Sequence, residues 1–588
     1  MTSASDTRPA DGFLAGLYRG SVDWDLVAPF PSQSSADAEE GDRVREELVD
    51  LLRRSVDPTA VDVRRQLPEG LVEELKQKGF FKLQAPADIE GLALSDMNAF
   101  RIIQTAASWS VPVALTMAIE NTVGLSPFLP ALPPQLREAM RRHVIDGAVS
   151  GSADTEPTGA ANKRRTTTAT PAGDGRGYLL RGEKIHIGNA PLAEVLSVSA
   201  SLLEGQFEPV RLFFVETDRP GFELRSWHEF MGVKGFPNGS LTLDDVYVER
   251  ERMLVEESDR VEAMPELDRL TPELNRLLFV GRMHLIAAPS LAIAKLCAEW
   301  SRNFCRRRKV DGRSLGEYEW IQRIVAVTLA EVFAIESICR WCLLAGDSRS
   351  GGGPRRDATL EQNAAKNITS VTAWRTVDRT MSLLAGEGYE TAQSKARRGA
   401  PPLPLERHFR DARNFRISGG VDFQLDNWTG SIAILPLYYA GDDRPPGGGS
   451  GYAPLRDLSP RNAEHQSFID EHVAELSAAC RDLVRRYPDP AELYARERFP
   501  ITVSRLADEL LSMSLVLART SSSAGSSGDH VQGLADIFCS EARRRVRCLW
   551  EELHDPSPPS HDGVAGAWLA GDGLDDLLSD AITEIPPA

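Results

Sequence analysis

The sequence predicts a mostly helical protein in which a β-domain is inserted between two helical domains, with a further helical domain towards the C-terminus. Apolar residues recur at helical spacing on both sides of a central block of short, β-rich runs. This order differs from the alternation of strands and helices that builds a parallel α/β sheet. No G-x-G-x-x-G segment opens a strand-helix unit, so a Rossmann dinucleotide site is not predicted.

The N-terminal part, residues 1–150, is predicted to be an arm followed by a helical domain. A helical pattern runs from Asp42 to His143, and prolines between 127 and 134 interrupt it. The apolar stretch from Phe100 to Ile119 predicts one long helix within this domain.

The central part, residues 151–260, predicts the β-domain. Short runs rich in β-branched residues cover 195–201, 210–215 and 240–247, and Gly, Pro and Asn separate them.

Helical periodicity returns after the β-domain, and residues 261–440 predict a four-helix-bundle-like domain. The segment 320–344 places apolar residues on one stripe, which is long enough for a bundle helix. Residues 441–461 are rich in Gly and Pro and predict a flexible linker. Apolar spacings of three and four beyond it predict a C-terminal helical domain over 462–588.

Charge and cysteine usage limit the class of protein. The chain has 588 residues and a net charge of -18, which disfavours nucleic acid and anionic lipid as partners. Seven cysteines without repeated short spacings are typical of a reducing compartment. Cys339 and Cys342 form a C-x-x-C within an apolar helical pattern, so we expect buried thiols there and no metal site. With no signal peptide or long apolar stretch, we expect a cytoplasmic protein that does not bind membranes.

Six motifs occur in one order along about half of the chain. They are Thr155-Glu156-Pro157, G-E-K-I-H-I-G-N at 182–189, M-G-V-K at 231–234, Arg308, L-A-G-E-G-Y at 384–389, and P-L-E-R-H-F-R-D-A-R at 404–413. In this order they resemble the motifs of the acyl-CoA dehydrogenases. The segments 12–20 and 29–31, together with the C-terminal helical unit, resemble the very-long-chain branch. The resemblance implies a fold with an N-terminal helical domain, a middle β-barrel or sandwich domain, a helical bundle and an additional C-terminal helical domain.

The resemblance also implies FAD as the cofactor and a homodimer as the assembly. In the family, an arginine at the position of Arg308 reaches the cofactor pyrophosphate, commonly across the dimer interface, and a guanidinium fork suits phosphate oxygens. The motif's usual Phe is Asp311 here. The positions that the resemblance assigns to cofactor binding are Thr155, His186, Gly188, Arg308, Tyr318, Ala385, Gly386, Val421 and Phe423. The branch's membrane-docking stretch is replaced by the polar linker at 441–461, so no membrane association is carried over.

The catalytic base of the family has no counterpart at either of its two known positions. Family members remove an α-proton from an acyl thioester with a glutamate whose position here is Gly419. The alternative position, on the helix that opens the bundle, is Asn275, whose amide cannot act as a base. Glu273 and Asp422 remain as possible replacements.

The predicted flavin face also departs from the family pattern. His186 stands where the family has a Trp beside the flavin ring, and Gly188 stands where a Thr offers a hydroxyl. Gly188 is expected to remove this donor and to open volume near the site of oxygen addition. His186 is either a proton donor near the flavin or an ordinary hydrogen-bonded histidine.

These departures lead to a specific functional hypothesis. A substrate that loses CO2 needs no base, and Arg276 could hold the carboxylate of a β-keto acid. The logic resembles that of acyl-CoA dehydrogenase-like epoxyketone synthases, which decarboxylate, dehydrogenate and oxygenate a peptidyl β-keto acid. The hypothesis is therefore a flavin-dependent dehydrogenase and monooxygenase of secondary metabolism that uses molecular oxygen and an acyl or peptidyl substrate, free or bound to CoA or a carrier protein. The alternatives are an acyl-CoA dehydrogenase with a relocated base and a non-catalytic interaction scaffold.

Overall fold

A computed structural model describes residues 12–160, 162, 164–204, 208–254, 272–346, 358–439, 453–523, 528–555 and 559–585, except the side chains of 272–276, 432–436 and 528. It has helices, then a sheet, then helices, which is the predicted order of elements. The predicted domain boundaries at 150 and 151 fall where the last helix of the first domain gives way to the first strand.

The N-terminal part is an arm and a helical domain. Its helices are α1 (Phe13–Tyr18), α2 (Ser35–Ser55), α3 (Pro58–Arg64), α4 (Leu71–Gln77), α5 (Asp96–Trp109), α6 (Val111–Thr122), α7 (Leu125–Phe128) and α8 (Pro134–Ile145). The expected single helix over 100–119 is wrong, because Ser110 is extended and separates α5 from α6. Pro112 cannot donate a hydrogen bond back into α5, so a new helix begins there.

The β-domain contains one eight-stranded mixed sheet. Its strands are β1 (Ser150–Ala153), β2 (Thr168–Pro171), β3 (Gly177–Gly188), β4 (Val195–Leu202), β5 (Val210–Glu216), β6 (Phe222–Trp227), β7 (Asn238–Glu249) and β8 (Met253–Leu254). Their order is β6-β7-β3-β2-β4-β5-β8, with β1 parallel to β4. β4 is buried along its whole length, and the second half of β7 alternates between buried and more exposed residues. Buried residues of both strands belong to the apolar core of this domain.

The helical bundle follows the sheet. Its elements are α9 (Pro272–Arg282), α10 (Ala288–Arg307), β9 (Lys309–Val310), β10 (Arg313–Ser314), α11 (Glu319–Leu344), α12 (Thr359–Leu384), α13 (Gly386–Tyr389), α14 (Ala392–Arg397), α15 (Leu405–Phe415) and α16 (Asp422–Ile434). A π-helical turn, Met283–Ala287, joins α9 to α10. Such turns often mark functional sites because the extra residue shifts the helix register.

The C-terminal helices share one core with the N-terminal domain and the bundle. They are α17 (Pro460–Arg486), α18 (Pro490–Tyr494), α19 (Arg498–Ser521), α20 (Gly528–His554) and α21 (His561–Ala570). Buried residues of α1, α11, α17 and α19 belong to one continuous apolar cluster. Most of the predicted linker lies outside the described residues, and α17 begins at Pro460, after Ser459 caps it.

Two further expectations about burial can be compared with the structure. Cys339 and Cys342 are buried on α11, and burial raises the pKa of the Cys339 thiol well above its usual range. The described residues contain no group of side chains that could hold a metal ion. One described helical stretch, Leu277–Arg307, is long and apolar enough to cross a membrane by length and composition, and 78% of its apolar window is buried inside the fold.

Candidate flavin and substrate site

The end of β1 carries a buried ion pair that fixes the predicted flavin face. Glu156 lies in the turn after β1 and contacts the Lys184 Nζ at 2.9 Å, with both side chains fully buried. Its other oxygen accepts from the Thr166 main-chain N–H at 2.6 Å. Burial raises the pKa of Glu156, but these hydrogen bonds outweigh it and lower the pKa to about 2. The pair therefore anchors Thr155 and β3 to each other.

His186 projects from a bulge in β3. The β3–β7 register shifts between Lys184 and Ile187, and His186 has a φ of 57° within this irregularity. Its exposed ring lies 4.8 Å from the His228 ring and 6.0 Å from the Phe230 ring, centre to centre. Burial and the neighbouring His186 lower the pKa of His228, which favours the neutral form of its ring. We call His186 and His228 the imidazole cluster.

Gly188 is crowded, which corrects the expectation that it opens volume. A Cβ built on Gly188 would lie 3.0 Å from Ile119 Cδ1 and 3.0 Å from Phe236 Cζ. These two apolar side chains occupy the direction that a Thr side chain would take. The missing hydroxyl is thus replaced by hydrocarbon, because α6 and the segment after β6 pack against the end of β3.

The M-G-V-K and R-D-x-R motifs meet and join the β-domain to the bundle. The Val233 main-chain N–H donates to the Asp411 carboxylate at 2.6 Å. A Cβ on Gly232 would lie 2.3 Å from the Arg410 carbonyl oxygen, so only glycine fits there. Burial raises the pKa of Asp411 to about 6. These contacts hold the exposed imidazole cluster beside the bundle.

Arg308 and Tyr318 lie at a small hairpin after α10. Arg308 is exposed where α10 ends, and within the described chain its side chain makes no hydrogen bond or ion pair. The Tyr318 hydroxyl donates to the Val310 carbonyl at 3.1 Å, and its ring lies under the Arg313 guanidinium at 4.5 Å. The Arg308 guanidinium is therefore available for a ligand, while Tyr318 stiffens the hairpin.

Ala385 and Gly386 follow the end of α12 and lie close to this hairpin. Arg307 Nη1 donates to the Glu387 carboxylate at 3.3 Å, which connects the end of α10 to α13. Ala385 has a φ of 51° and a ψ of -133°, a conformation that favours glycine. A Cβ on Gly386 would meet nothing within 4 Å. The structure thus brings Arg308 and the Gly386 region together around open space.

Gly419 lies in the turn between α15 and α16 and faces the π-helical turn. Its φ is 69°, and a Cβ there would lie 3.5 Å from Ile286 Cγ1 and 4.0 Å from Lys366 Cε. Val421 is half-buried in this turn, and Phe423 in the first turn of α16 is 58% exposed. The position that the resemblance assigns to the base is therefore bordered by one apolar side chain and one lysine.

Sequence reasoning did not identify Lys366. This lysine on α12 is fully buried, and its Nζ donates to the Gly420 carbonyl at 2.5 Å. Burial and the neighbouring Arg282 cation lower the pKa of Lys366 to about 8, although Asp422 acts in the opposite direction. One feature of the sequence could have revealed it: Lys366 stands among Ala, Thr and Ile residues in the pattern of an interior bundle helix. Charged side chains are rarely buried, so a lysine at such a position indicates a specific role.

Asp422, one of the two possible replacement bases, is held by an arginine. Arg416 Nε donates to Asp422 Oδ2 at 2.7 Å, and the Phe423 main-chain N–H donates to the other oxygen at 2.9 Å. Burial raises the pKa of Asp422, but these hydrogen bonds outweigh it and lower the pKa, which makes the carboxylate a weak base. The side chains of Glu273, Asn275 and Arg276 lie outside the described residues, so their predicted roles remain predictions.

The described residues fit an FAD. Thr155 follows β1, and the exposed His186 ring lies beside the His228 and Phe230 rings at the end of β3, which suits a flat, polar-edged ring. Arg308 offers a guanidinium without a partner in the described chain, and Gly386 faces open space next to it. Bound there, FAD would supply hydride-accepting and oxygen-reactive chemistry.

Comparisons with known proteins agree with this architecture. The N-terminal, middle and C-terminal domain models of the acyl-CoA dehydrogenases match residues 38–147, 151–246 and 274–423. The chain is 25% identical to a probable acyl-CoA dehydrogenase, FadE10, of Mycobacterium tuberculosis, over 92% of this chain and 86% of that protein. It is 24% identical to the mitochondrial very long-chain specific acyl-CoA dehydrogenase of Mus musculus, over 93% and 85% of the two chains.

Solved structures have the same fold. An acyl-CoA dehydrogenase from Bacillus anthracis complexed with FAD has a TM-score of 0.73 at 18% identity, covering 97% of this chain and 96% of its own. The butyryl-CoA dehydrogenase of Megasphaera elsdenii has a TM-score of 0.57 at 21% identity and covers only 67% of this chain. From the domain matches and the fold, the chain belongs to the acyl-CoA dehydrogenase family of FAD-dependent oxidoreductases.

Proposed function

We propose that this flavoenzyme starts from an acyl or peptidyl β-keto acid, which it decarboxylates, dehydrogenates and oxygenates to an epoxyketone. The observation that carries the proposal is the environment of Gly419. This position has no side chain, and the nearest described carboxylate in the same turn, Asp422, is held by Arg416. Loss of CO2 would supply the enolate that other family members obtain by removing an α-proton.

The proposed reaction balances without a separate reductant. The bond between the α-carbon and the carboxylate breaks, CO2 leaves, and its electron pair forms the enolate. A hydride would then pass to bound FAD from the alkyl substituent on the α-carbon, at the carbon that lies β to the ketone, and this would leave an enone. Molecular oxygen supplies one atom to the enone, and its other atom leaves as water with the two reducing equivalents just gained. One acid and one dioxygen thus give one epoxyketone, one CO2 and one water.

The chain's own residues have separate tasks in this scheme. Gly188 is walled by Ile119 and Phe236, so the end of β3 is apolar there and would keep water from a bound flavin. The exposed His186 ring, next to His228, is the group proposed to donate or accept a proton. The substrate carboxylate needs a cationic partner, for which the sequence suggests Arg276, whose side chain lies outside the described residues.

The stoichiometry provides the experimental test. Purified protein loaded with FAD would be mixed in air with α-methyl-β-ketooctanoic acid, and CO2 release, oxygen consumption and product mass would be recorded together. We expect equimolar CO2 and oxygen, with a product one oxygen atom heavier than the enone. Release of CO2 at the rate of a heat-inactivated control would reject the proposal.

A second candidate is α,β-desaturation of an acyl-CoA with a relocated base. The similarity of the chain to acyl-CoA dehydrogenases favours it, and Glu273 is the remaining candidate base. In this second candidate function, either CoA or a carrier protein presents the substrate. A non-catalytic scaffold would be the conclusion if purified protein were colourless and failed to bind FAD.

We also propose a homodimer and a cytoplasmic location. A groove of about 470 Å³ between α10 and α11 is lined by Ile321, Val325 and Leu329, and the Leu329 side chain is 42% exposed. The first turns of α11 therefore present an apolar stripe that a second copy could cover. Light scattering of the FAD-loaded protein should give twice the chain mass, and fractionation after low-salt lysis should leave it in the supernatant.

A further inference from the structure

A lysine and an arginine lie together behind the Gly419 turn. Lys366 is fully buried, and Arg282 at the end of α9 is partly buried against the Phe279 ring at 5.1 Å and the Trp428 ring at 6.0 Å. Arg282 also donates to the Asn363 side chain, one turn before Lys366 on α12. Burial lowers the pKa of Arg282 to about 10. We call Lys366 and Arg282 the cation pair.

The carboxylates around the cation pair are already engaged. Arg416 Nε binds Asp422 at 2.7 Å, and Arg505 Nε binds Asp426 at 2.8 Å. Asp422 and Asp426 lie on α16, which packs over the same turn. Within the described part of the chain, neither member of the cation pair makes a hydrogen bond or ion pair with a carboxylate.

Two neighbouring cations inside a protein are costly unless an anion compensates them. Removing a charge from water is unfavourable, and the repulsion between two like charges adds to that cost. The Lys366 ammonium has three donors and uses one of them on the Gly420 carbonyl. Unused donors on Lys366 can therefore bind a ligand. Arg282 is half-buried whereas Lys366 is fully buried, so an anion would approach the pair from the Arg282 side.

We propose that the cation pair binds the β-keto acid end of the substrate, with one cation on the carboxylate and the other on the ketone oxygen. The inference rests on the proposed function, and it assigns the recognition of the acid to Lys366 and Arg282 in place of Arg276, whose side chain lies outside the described residues. The location supports it, because a Cβ on Gly419, the position that the resemblance assigns to the base, would lie 4.0 Å from Lys366 Cε. Where other members of the family place a carboxylate of their own, the proposal places the carboxylate of the substrate.

Two cations suit this substrate better than one. When the carbon-carbon bond to the carboxylate breaks, CO2 leaves and the electron pair moves to the ketone oxygen as an enolate. A cation on the carboxylate alone would stabilise the starting acid and slow this step. A second cation on the ketone oxygen stabilises the charge where it develops, which favours the reaction.

Binding of a non-reacting acid tests the inference without turnover. β-Hydroxyoctanoic acid resists decarboxylation, and the matching secondary alcohol lacks its carboxylate. Calorimetric titration of the FAD-loaded protein should give tighter binding of the acid than of the alcohol. Lys366→Met should weaken acid binding by about tenfold or more and change alcohol binding by less than about twofold, since a charge-assisted hydrogen bond is lost only with the acid.

A matched control and a pH series separate recognition from folding. Lys82 is also a buried lysine that binds a main-chain carbonyl, that of Ile89 at 3.2 Å, but it lies in the N-terminal domain. Lys82→Met should leave acid binding unchanged. Wild-type affinity for the acid should fall as the pH rises from 7 to 9, because the pKa of Lys366 is about 8. Lys366→Arg should stay folded and abolish this pH dependence, because an arginine remains charged.

The outcomes distinguish this inference from the proposed function. Acid-selective binding that depends on Lys366, without turnover of any β-keto acid, would support the cation pair and reject the decarboxylation. Turnover of β-keto acids with equal acid affinity in wild-type and Lys366→Met protein would reject the cation pair and leave the decarboxylation standing. Equal affinity of the wild-type protein for the acid and the alcohol would also overturn the inference.

Discussion

Restoring the family's base at Gly419 should produce only a weak dehydrogenase while Lys366 is present. A glutamate at this position has room, since its Cβ would lie 3.5 Å from Ile286 Cγ1 and 4.0 Å from Lys366 Cε. The left-handed φ of 69° adds a strain of about 1 to 3 kcal/mol, which is tolerable in a chain of this size. The new carboxylate can thus form, but it forms next to an ammonium.

The size of the effect follows from this neighbour. At a separation of about 5 Å and an effective dielectric constant of about 20, the ion pair is worth about 3 kcal/mol, which lowers the pKa of the carboxylate by about two units. A positioned base contributes roughly 10²- to 10⁴-fold in rate, and part of this gain is lost as the base weakens. The double variant Gly419→Glu with Lys366→Met should therefore be faster than Gly419→Glu alone by about tenfold or more.

Stopped-flow bleaching of the flavin by octanoyl-CoA without oxygen measures these rates directly. Gly419→Gln is the matched control, because it has the same shape and strain but no base. We expect the order double variant, then Gly419→Glu, then Gly419→Gln and wild type together. Equal rates for the single and double variants would refute the assigned proximity of Lys366, and a Gln variant as fast as the Glu variant would refute the role of the base.

Three further predictions concern the cofactor and the stability of the fold. Arg308→Ala should lose FAD during gel filtration while its circular dichroism stays unchanged; retention of full FAD would contradict the pyrophosphate assignment. Glu156→Gln should lower the free energy of unfolding, measured by urea titration, by about 3 to 5 kcal/mol, because it leaves Lys184 charged and buried. The control Glu47→Gln removes one partner of an exposed ion pair and should change the same free energy by less than about 1 kcal/mol. Burial raises the pKa of Asp508 well above its usual range, so the folded chain holds a proton that the unfolded chain releases, and stability falls as the pH rises above about 4. Asp508→Asn should therefore raise Tm at pH 8 and leave it unchanged near pH 4; the same Tm gain at both pH values would show that burial of the charge is not the cause.

The architecture could be predicted from the sequence because each element carries a local pattern. The alternation in 240–247 and the apolar run in 195–201 became β7 and β4, and the stripe over 320–344 became α11. The expected helix over 100–119 failed because its apolar residues continue through the extended Ser110, where only backbone geometry decides the break. The C-terminal helices share a core with the N-terminal arm. This contact is a property of tertiary packing, which the spacing of apolar residues along the sequence does not reveal.

The candidate site could be predicted only where motifs mark it. The resemblance located Thr155, His186 and Gly419, and the structure places the first two at the joined ends of β1 and β3 and the third in the turn before α16. The volume beside Gly188 could not be predicted, because Ile119 and Phe236 come from segments far apart in sequence. Lys366 was missed for the same reason. The sequence pattern predicts that Lys366 lies on a bundle helix, but only the packing shows that its side chain faces Gly419.

The most direct test of the account compares two substrates on wild-type protein without oxygen. Flavin absorbance would be followed after mixing with octanoyl-CoA and, separately, with α-methyl-β-ketooctanoic acid. The account predicts slow bleaching with the saturated thioester, because no base lies at Gly419, and rapid bleaching with the β-keto acid, accompanied by release of one CO2 for each flavin reduced. Rapid bleaching by octanoyl-CoA, with no response to the β-keto acid, would contradict it and identify an ordinary acyl-CoA dehydrogenase.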